Sequence, residues 1–167
     1  HKKKFEQVAH DMTLRSGVIE FVNQMRRRGF MVGLVSDSYF VAAEIVRRRI
    51  FADFAMAHTI RFDNDVCAGE IRINPAFYNP QNKSSGVCKS NVLRCFLTDP
   101  TLPAINLTWV IGDNINDLQL MQLADRAFAI DPKSPILRNE PFITQIESFE
   151  ELLAMLPNHE LVVQPSV

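Results

Sequence analysis

Six consecutive residues, Gly112-Asp113-Asn114-Ile115-Asn116-Asp117, gather two carboxylates and two carboxamides directly after the apolar run Leu107–Ile111. Side-chain oxygens at that density suit a hard cation. Mg²⁺ takes one or two carboxylates and fills its remaining positions with water and phosphate oxygens. Gly112 lets the chain turn sharply and lets a ligand approach the backbone. A single Asp at such a place is ordinarily a helix cap. Four oxygen-bearing side chains within five positions after a buried strand exceed what a cap needs.

A second cluster is Leu34-Val35-Ser36-Asp37-Ser38-Tyr39. A hydroxyl at the end of a strand, followed by the amides that open a helix, forms a phosphate cradle. A plain Ser N-cap has the same appearance. Lys89 stands at the start of a further helix, where an ammonium would neutralise phosphate charge in a transition state. A lone Lys is otherwise a solvated side chain. The triplets Arg26-Arg27-Arg28 and Arg47-Arg48-Arg49 fall late in two helices, where they favour the helix dipole and solvent.

The elements that must position these groups alternate along the chain. Residues 3–11 read as a weak helix. Ser16 is expected to cap a second helix with Val18, Ile19, Phe21, Val22 and Met25 at helical spacing, ended by Gly29. Phe30–Val35 reads as a buried strand ending in Ser36-Asp37-Ser38, and a helix follows from about Phe40 to Arg49. Phe54–Ala57 is a short strand. Residues 58–74 form a hairpin turning at Asp63-Asn64-Asp65, and residues 75–86 form a loop. Lys89–Leu97 is helical, and Leu107–Ile111 is a strand. A helix is expected from about Asn116 to Ala124, then strands at Ala127–Ile130 and near Phe142-Ile143. Ser148 caps a closing helix, with Glu151 completing a capping box. Alternation of this kind predicts an α/β fold with a doubly wound, mostly parallel, Rossmann-like sheet. In such sheets ligands sit beyond the carboxyl ends of the strands, where both polar clusters fall.

Composition is consistent with one compact core and excludes several classes. The chain has 167 residues, 47% of them hydrophobic, and a formal net charge of −1. Nothing in that balance calls for nucleic acid or an anionic membrane. Cys67, Cys88 and Cys95 are odd in number and lack metal-site spacing, so reduced thiols are expected. No apolar run approaches the roughly 20 residues of a membrane span, and no signal peptide opens the chain. A cytoplasmic protein is expected.

The ordered set Ser36, Lys89, Asp113 and Asp117 resembles motifs two, three and four of the haloacid dehalogenase-like hydrolases, and within them the phosphoserine phosphatase branch. The stretch ending in VSDSYF is similar to that branch's run into its hydroxyl motif. VCKSNVL resembles its lysine motif, and VIGDNINDLQLMQLAD its final acidic motif. The likeness covers about residues 11–157. It implies a haloacid-dehalogenase-type core over 13–157 with a β-hairpin insertion, a remnant of a cap helix over 1–12, and a tail over 158–167.

The resemblance also implies a Mg²⁺-dependent phosphomonoester hydrolase that acts on a small phosphorylated metabolite through an aspartyl-phosphate. Ser36 would hydrogen-bond the phosphoryl oxygens, Lys89 would pair with phosphate and nucleophile, and Asn116 would face the phosphate. Asp113 would bind Mg²⁺, and Asp117 would hold a metal-bound water or Lys89. Asp37 shares the phosphate turn, where the branch usually has Gly-Gly. A carboxylate there repels phosphate unless it points away or binds another group.

The family's first motif, Asp-x-Asp at the end of a central first strand, does not occur here. In the family that strand lies between the strands assigned to 30–35 and 107–111. Without it, backbone groups worth about 1–3 kcal/mol each would be buried unpaired, against a domain stability of about 5–15 kcal/mol. The expectation is therefore a fragment, with the nucleophile and the missing strand supplied by an N-terminal segment or another chain. The alternative is a non-catalytic module of the same fold that binds a phosphate ligand or a partner. A cation-pump phosphorylation domain shares part of the final motif but lacks its membrane helices here.

Overall fold

The computed structural model describes residues 1–78 and 88–156, and the expected tail at 158–167 and most of the loop at 75–86 lie outside them. The elements run α1 (Lys2–Asp11), α2 (Val18–Arg27), β1 (Gly33–Tyr39), α3 (Phe40–Ile50), β2 (Phe54–Asp63), β3 (Val66–Arg72), α4 (Lys89–Thr98), β4 (Trp109–Gly112), α5 (Leu118–Met121), β5 (Arg126–Ile130), α6 (Pro135–Asn139), β6 (Ile143–Ile146) and α7 (Phe149–Ala154). Short 3-10 turns occupy Pro75–Phe77 and Ile115–Asp117. The chain divides into two compact units, one holding residues 1–72 with those from Ser148 onward, the other Ile73–Glu147.

In the first unit, β2 is a single long strand rather than the separate strand and hairpin arm expected. Its first half pairs in parallel with β1 and its second half antiparallel with β3. Asn64 and Asp65, with φ of 48° and 64°, join β2 to β3. Two consecutive left-handed residues are what a tight hairpin turn of the primed type requires. Helix α1 is fixed by Phe5, whose ring meets Tyr39 and Phe62 edge-on at centroid distances of 5.8 and 5.6 Å. It is tied further by Arg49, whose guanidinium donates to the Ala9 carbonyl.

Helix α2 buries Phe21, Val22 and Met25 as its spacing predicts, and Phe21 packs on Phe149 of α7. Its N-cap is Gly17 at φ 75°, not Ser16. The Ser16 hydroxyl instead donates to the Glu150 carboxylate, which lies against the turn. Ser148 caps α7 as expected, its hydroxyl accepting from the Glu151 amide.

The second unit holds a fully parallel sheet of β4, β5 and β6. Its core is Met121, Ala127, Ala129, Leu137 and Ile143, with Val110 and Leu118 packed against it. The helix expected over 116–124 shortens to a 3-10 turn and the four residues of α5. Asp125 stops it, because its carboxylate accepts both the Thr108 amide and the Thr108 hydroxyl, pinning the chain to the start of β4. Helix α6 was not anticipated, although Ser134 caps it and Pro135 occupies its first turn, a sequence-readable start.

The strand order is β1-β2-β3 in one sheet and β4-β5-β6 in the other, so β1 and β4 each end a sheet. Both carry the short apolar runs of interior parallel strands, Leu34-Val35 and Trp109-Val110-Ile111, yet these residues are only partly buried. The α/β class with parallel pairing is as expected from the sequence, and among the described residues no central strand joins these edges.

Candidate functional site

The second unit assembles the site around the end of β4. Pairing of β4 with β5 runs through Gly112, after which the chain leaves the sheet and enters the Ile115–Asp117 turn. Asp117, only 8% exposed, directs its carboxylate back into that turn. Its Oδ2 accepts from the backbone amides of Asp113 and Asn114, both at 3.2 Å. Its Oδ1 accepts from Lys89 Nζ at 2.8 Å. A buried carboxylate must be compensated by charge and hydrogen bonds, and Asp117 has both.

Gly112 makes this geometry possible. A Cβ added there would fall 2.5 Å from Asp117 Oδ2 and 2.7 Å from Asp117 Cβ, so a side chain at 112 and the observed Asp117 position exclude each other. On the other flank, Lys89 is the first residue of α4. Its neighbours Cys88 and Ser90 are buried, and the Cys88 amide donates to the Phe77 carbonyl. The lysine side chain is therefore launched from an anchored turn towards Asp117.

Asp113 is the reachable carboxylate. Its side chain is 39% exposed, and its Oδ2 lies 4.0 Å from Lys133 Nζ. The Lys133 amide also donates to the Asp113 carbonyl. Asn116 is exposed at the same turn. Among the described residues no three carboxylate, imidazole or thiolate groups converge. One accessible carboxylate beside exposed carboxamides fits part of a Mg²⁺ shell, since this ion takes few protein ligands and keeps several waters. Asp113 meets that description. The Asp117 oxygens are instead turned to the two amides and Lys89.

Ser36 and Asp37 belong to the first unit. The pairing register places Val35 opposite Met56 and Tyr39 opposite His58, so Ser36-Asp37-Ser38 bulge out against Ala57 alone. The bulge is closed by the Ser38 amide donating to Ser36 Oγ at 3.1 Å. Helix α3 starts immediately afterwards at Phe40. Ser36 is half-buried, and Asp37 and Ser38 are exposed. The strand was expected to end in these residues. It runs through them as an irregular segment, because β2 recaptures the chain at Tyr39. Of the candidate residues, the structure brings Lys89, Asp113, Asn116 and Asp117 together in one unit. Lys133 joins them and was not singled out from the sequence. Its signal was its place in Asp131-Pro132-Lys133-Ser134, directly after β5 and so at the same end of the same parallel sheet.

Known proteins resemble this chain in sequence and fold. The family model for haloacid dehalogenase-like hydrolases matches residues 1–122. A phosphoserine phosphatase of Streptomyces coelicolor is 24% identical over 148 residues, spanning 84% of this chain and 34% of that protein. The phosphoserine phosphatase SerB2 of Mycobacterium tuberculosis is 26% identical over 133 residues, spanning 80% of this chain and 30% of its own length. The chain thus covers about a third of these two relatives. A phospho-aspartyl intermediate analogue of phosphoserine phosphatase superposes with a TM-score of 0.73 at 21% identity, over 93% of this chain and 70% of that one. The fold, the ordered motifs and the matching family model place this chain among the haloacid dehalogenase-like hydrolases, in their phosphoserine phosphatase-like branch.

Proposed function

We propose that this chain is the phosphate-binding and metal-anchoring part of a Mg²⁺-dependent phosphomonoesterase acting on a small phosphorylated metabolite. The observation that carries the reading is the Lys89–Asp117 ion pair set beside the reachable Asp113 carboxylate at the end of a parallel strand. A fixed ammonium and a partly exposed carboxylate at such a strand end are the parts that phosphoryl transfer uses, because its catalysis is mostly positioning and charge neutralisation.

In this reading Asp113 holds the ion. When bound, Mg²⁺ orients the phosphoryl group and offsets its charge. Lys89 pairs with a phosphoryl oxygen, and Asp117 keeps the ammonium aimed. Asn116 donates to the phosphate. In the first unit, Ser36, with Asp37 beside it, is a phosphate-binding candidate in its own right. An aspartate supplied by an N-terminal segment or another chain attacks phosphorus, forming the acyl-phosphate bond as the ester P–O bond breaks and the departing alkoxide takes a proton. Water then hydrolyses the aspartyl-phosphate. The same segment or chain adds a strand to the edge of β1, whose apolar composition suits an interior position.

The test is Mg²⁺-dependent release of inorganic phosphate from small phosphomonoesters by the full-length protein. Unchanged turnover in Asp113→Asn would overturn the reading. Binding of phosphate ligands without turnover by an intact protein would favour a non-catalytic module instead.

A further inference from the structure

The loop after β5 is built to hold a lysine at the metal-anchoring turn. Asp131 takes a left-handed backbone at φ 45° and its amide donates to the Ile146 carbonyl. Pro132 is buried, and Ser134 and Pro135 begin α6. Between these fixed points, the Lys133 amide donates to the Asp113 carbonyl at 3.2 Å. The Lys133 backbone is therefore clamped to the residue whose carboxylate its ammonium approaches, while the side chain itself is 76% exposed and free to swing. This differs from Lys89, which is 12% exposed and in full hydrogen-bond contact with Asp117.

We infer that Lys133 is a resident counter-cation for Asp113. It occupies the Asp113 carboxylate when no metal is present, leaves when a divalent cation arrives, and thereby weakens metal affinity. The inference rests on the reading of Asp113 as the metal-holding carboxylate. Its chemistry is simple competition. At 4.0 Å the pair is loose and solvated, so it steadies Asp113 without blocking it. An ammonium that remains near a bound dication also repels it, with the same sign of effect.

The test is titration of the full-length protein with MgCl₂ by calorimetry, for the parent, Lys133→Gln, Lys133→Arg and Asp113→Asn. Lys133→Gln is expected to bind Mg²⁺ about two- to fivefold more tightly at low ionic strength, the range set by an exposed ion pair. That gain should shrink as salt screens the pair, and Lys133→Arg should bind like the parent. The metal-free melting temperature of Lys133→Gln should not rise, which separates lost competition from a general gain in stability. Unchanged or weaker Mg²⁺ binding in Lys133→Gln, with Asp113→Asn still impaired, overturns the counter-cation role alone. Mg²⁺ binding that is equal in the parent and Asp113→Asn overturns the assignment of Asp113, and the inference with it.

Discussion

Lys89 Nζ and Asp117 Oδ1 lie 2.8 Å apart although 28 residues separate them in sequence. Both side chains are close to nine-tenths buried, at 12% and 11% exposure. A pair this buried is worth little as net stability, because desolvation opposes the attraction. Its removal from one side is costly, since the other charge is then left without its partner. The arrangement therefore reads as a device that fixes where an ammonium points.

A double-mutant cycle tests this. Lys89→Met and Asp117→Asn should each destabilise the chain, measured by urea unfolding, and the double variant should recover part of the loss. A coupling energy of about 1–3 kcal/mol is expected for residues in direct contact in one network. In the full-length protein each single variant should also lose roughly 100-fold or more in kcat, the scale of removing one preorganised charge-stabilising group. Additive stability changes would show that the two side chains do not act as a pair.

Gly112→Ala separates geometry from chemistry at the same site. The new Cβ would meet Asp117 Cβ and Cγ at 2.7 Å, so Asp117 must retreat and carry its hydrogen bonds with it. No titratable group is removed. Activity should nevertheless fall at least tenfold, through Asp117 and Lys89 together, in line with the steep cost of misplacing a catalytic group. The measurement is kcat alongside the melting temperature. Lost stability with intact kcat would place the role of Gly112 in folding alone.

Asp113, Asn116 and Asp117 were legible in the sequence as oxygen-bearing side chains clustered at a strand end, and Lys89, which opens a helix, through its place in the ordered motif set. Asp113 and Asp117 stand out in any reading of Gly112–Asp117. Their division of labour did not. Five positions of sequence cannot say which carboxylate a turn will fold inward, and the two backbone amides that capture Asp117 are set by three-dimensional closure. Lys133 was hidden for a related reason. Its approach to Asp113 depends on β4 and β5 being neighbours in register, a contact between distant segments. The helix ending at Met121 came out short because Asp125 binds Thr108, a tertiary clamp that overrides local helical spacing. Ser16 does not cap α2, for the same cause. A carboxylate from the far end of the chain competed for its hydroxyl.

The arginine triplet on α3 yields a pH prediction. Glu44 accepts from Arg47 through both carboxylate oxygens, at 2.7 and 2.8 Å, and from Arg48 Nε at 2.8 Å. The hydrogen bonds from Arg47 dominate, and the Glu44 carboxyl is lowered from 4.5 to about 2 against the opposing cost of burial. A carboxylate that titrates lower folded than unfolded contributes fully above its unfolded value. The contribution is lost as the pH falls through the folded one. Glu44→Gln should therefore lower the melting temperature modestly at pH 7. The gap from the parent should begin to close below pH 4.5 and vanish near pH 2. A gap that stays constant across that window would assign the effect to packing rather than charge.

The start of α2 offers the cleanest separation of backbone strain from crowding. Gly17 sits at φ 75°, and a Cβ there would fall 2.6 Å from Glu150 Cδ. The carboxylate is drawn to this place by Ser16, whose hydroxyl holds the Glu150 carboxyl below its ordinary range. Two costs therefore meet in Gly17→Ala. The left-handed backbone alone costs a residue with a Cβ about 1–2 kcal/mol. Displacing Glu150 adds a second cost, which its flexible side chain keeps small. Chemical unfolding of Gly17→Ala, alone and combined with Glu150→Ala, resolves them. The single substitution should show the larger loss, and in the Glu150→Ala background only the backbone part should remain. If alanine at 17 costs nothing in either background, the turn relaxes to an ordinary conformation, and α2 does not need its left-handed cap.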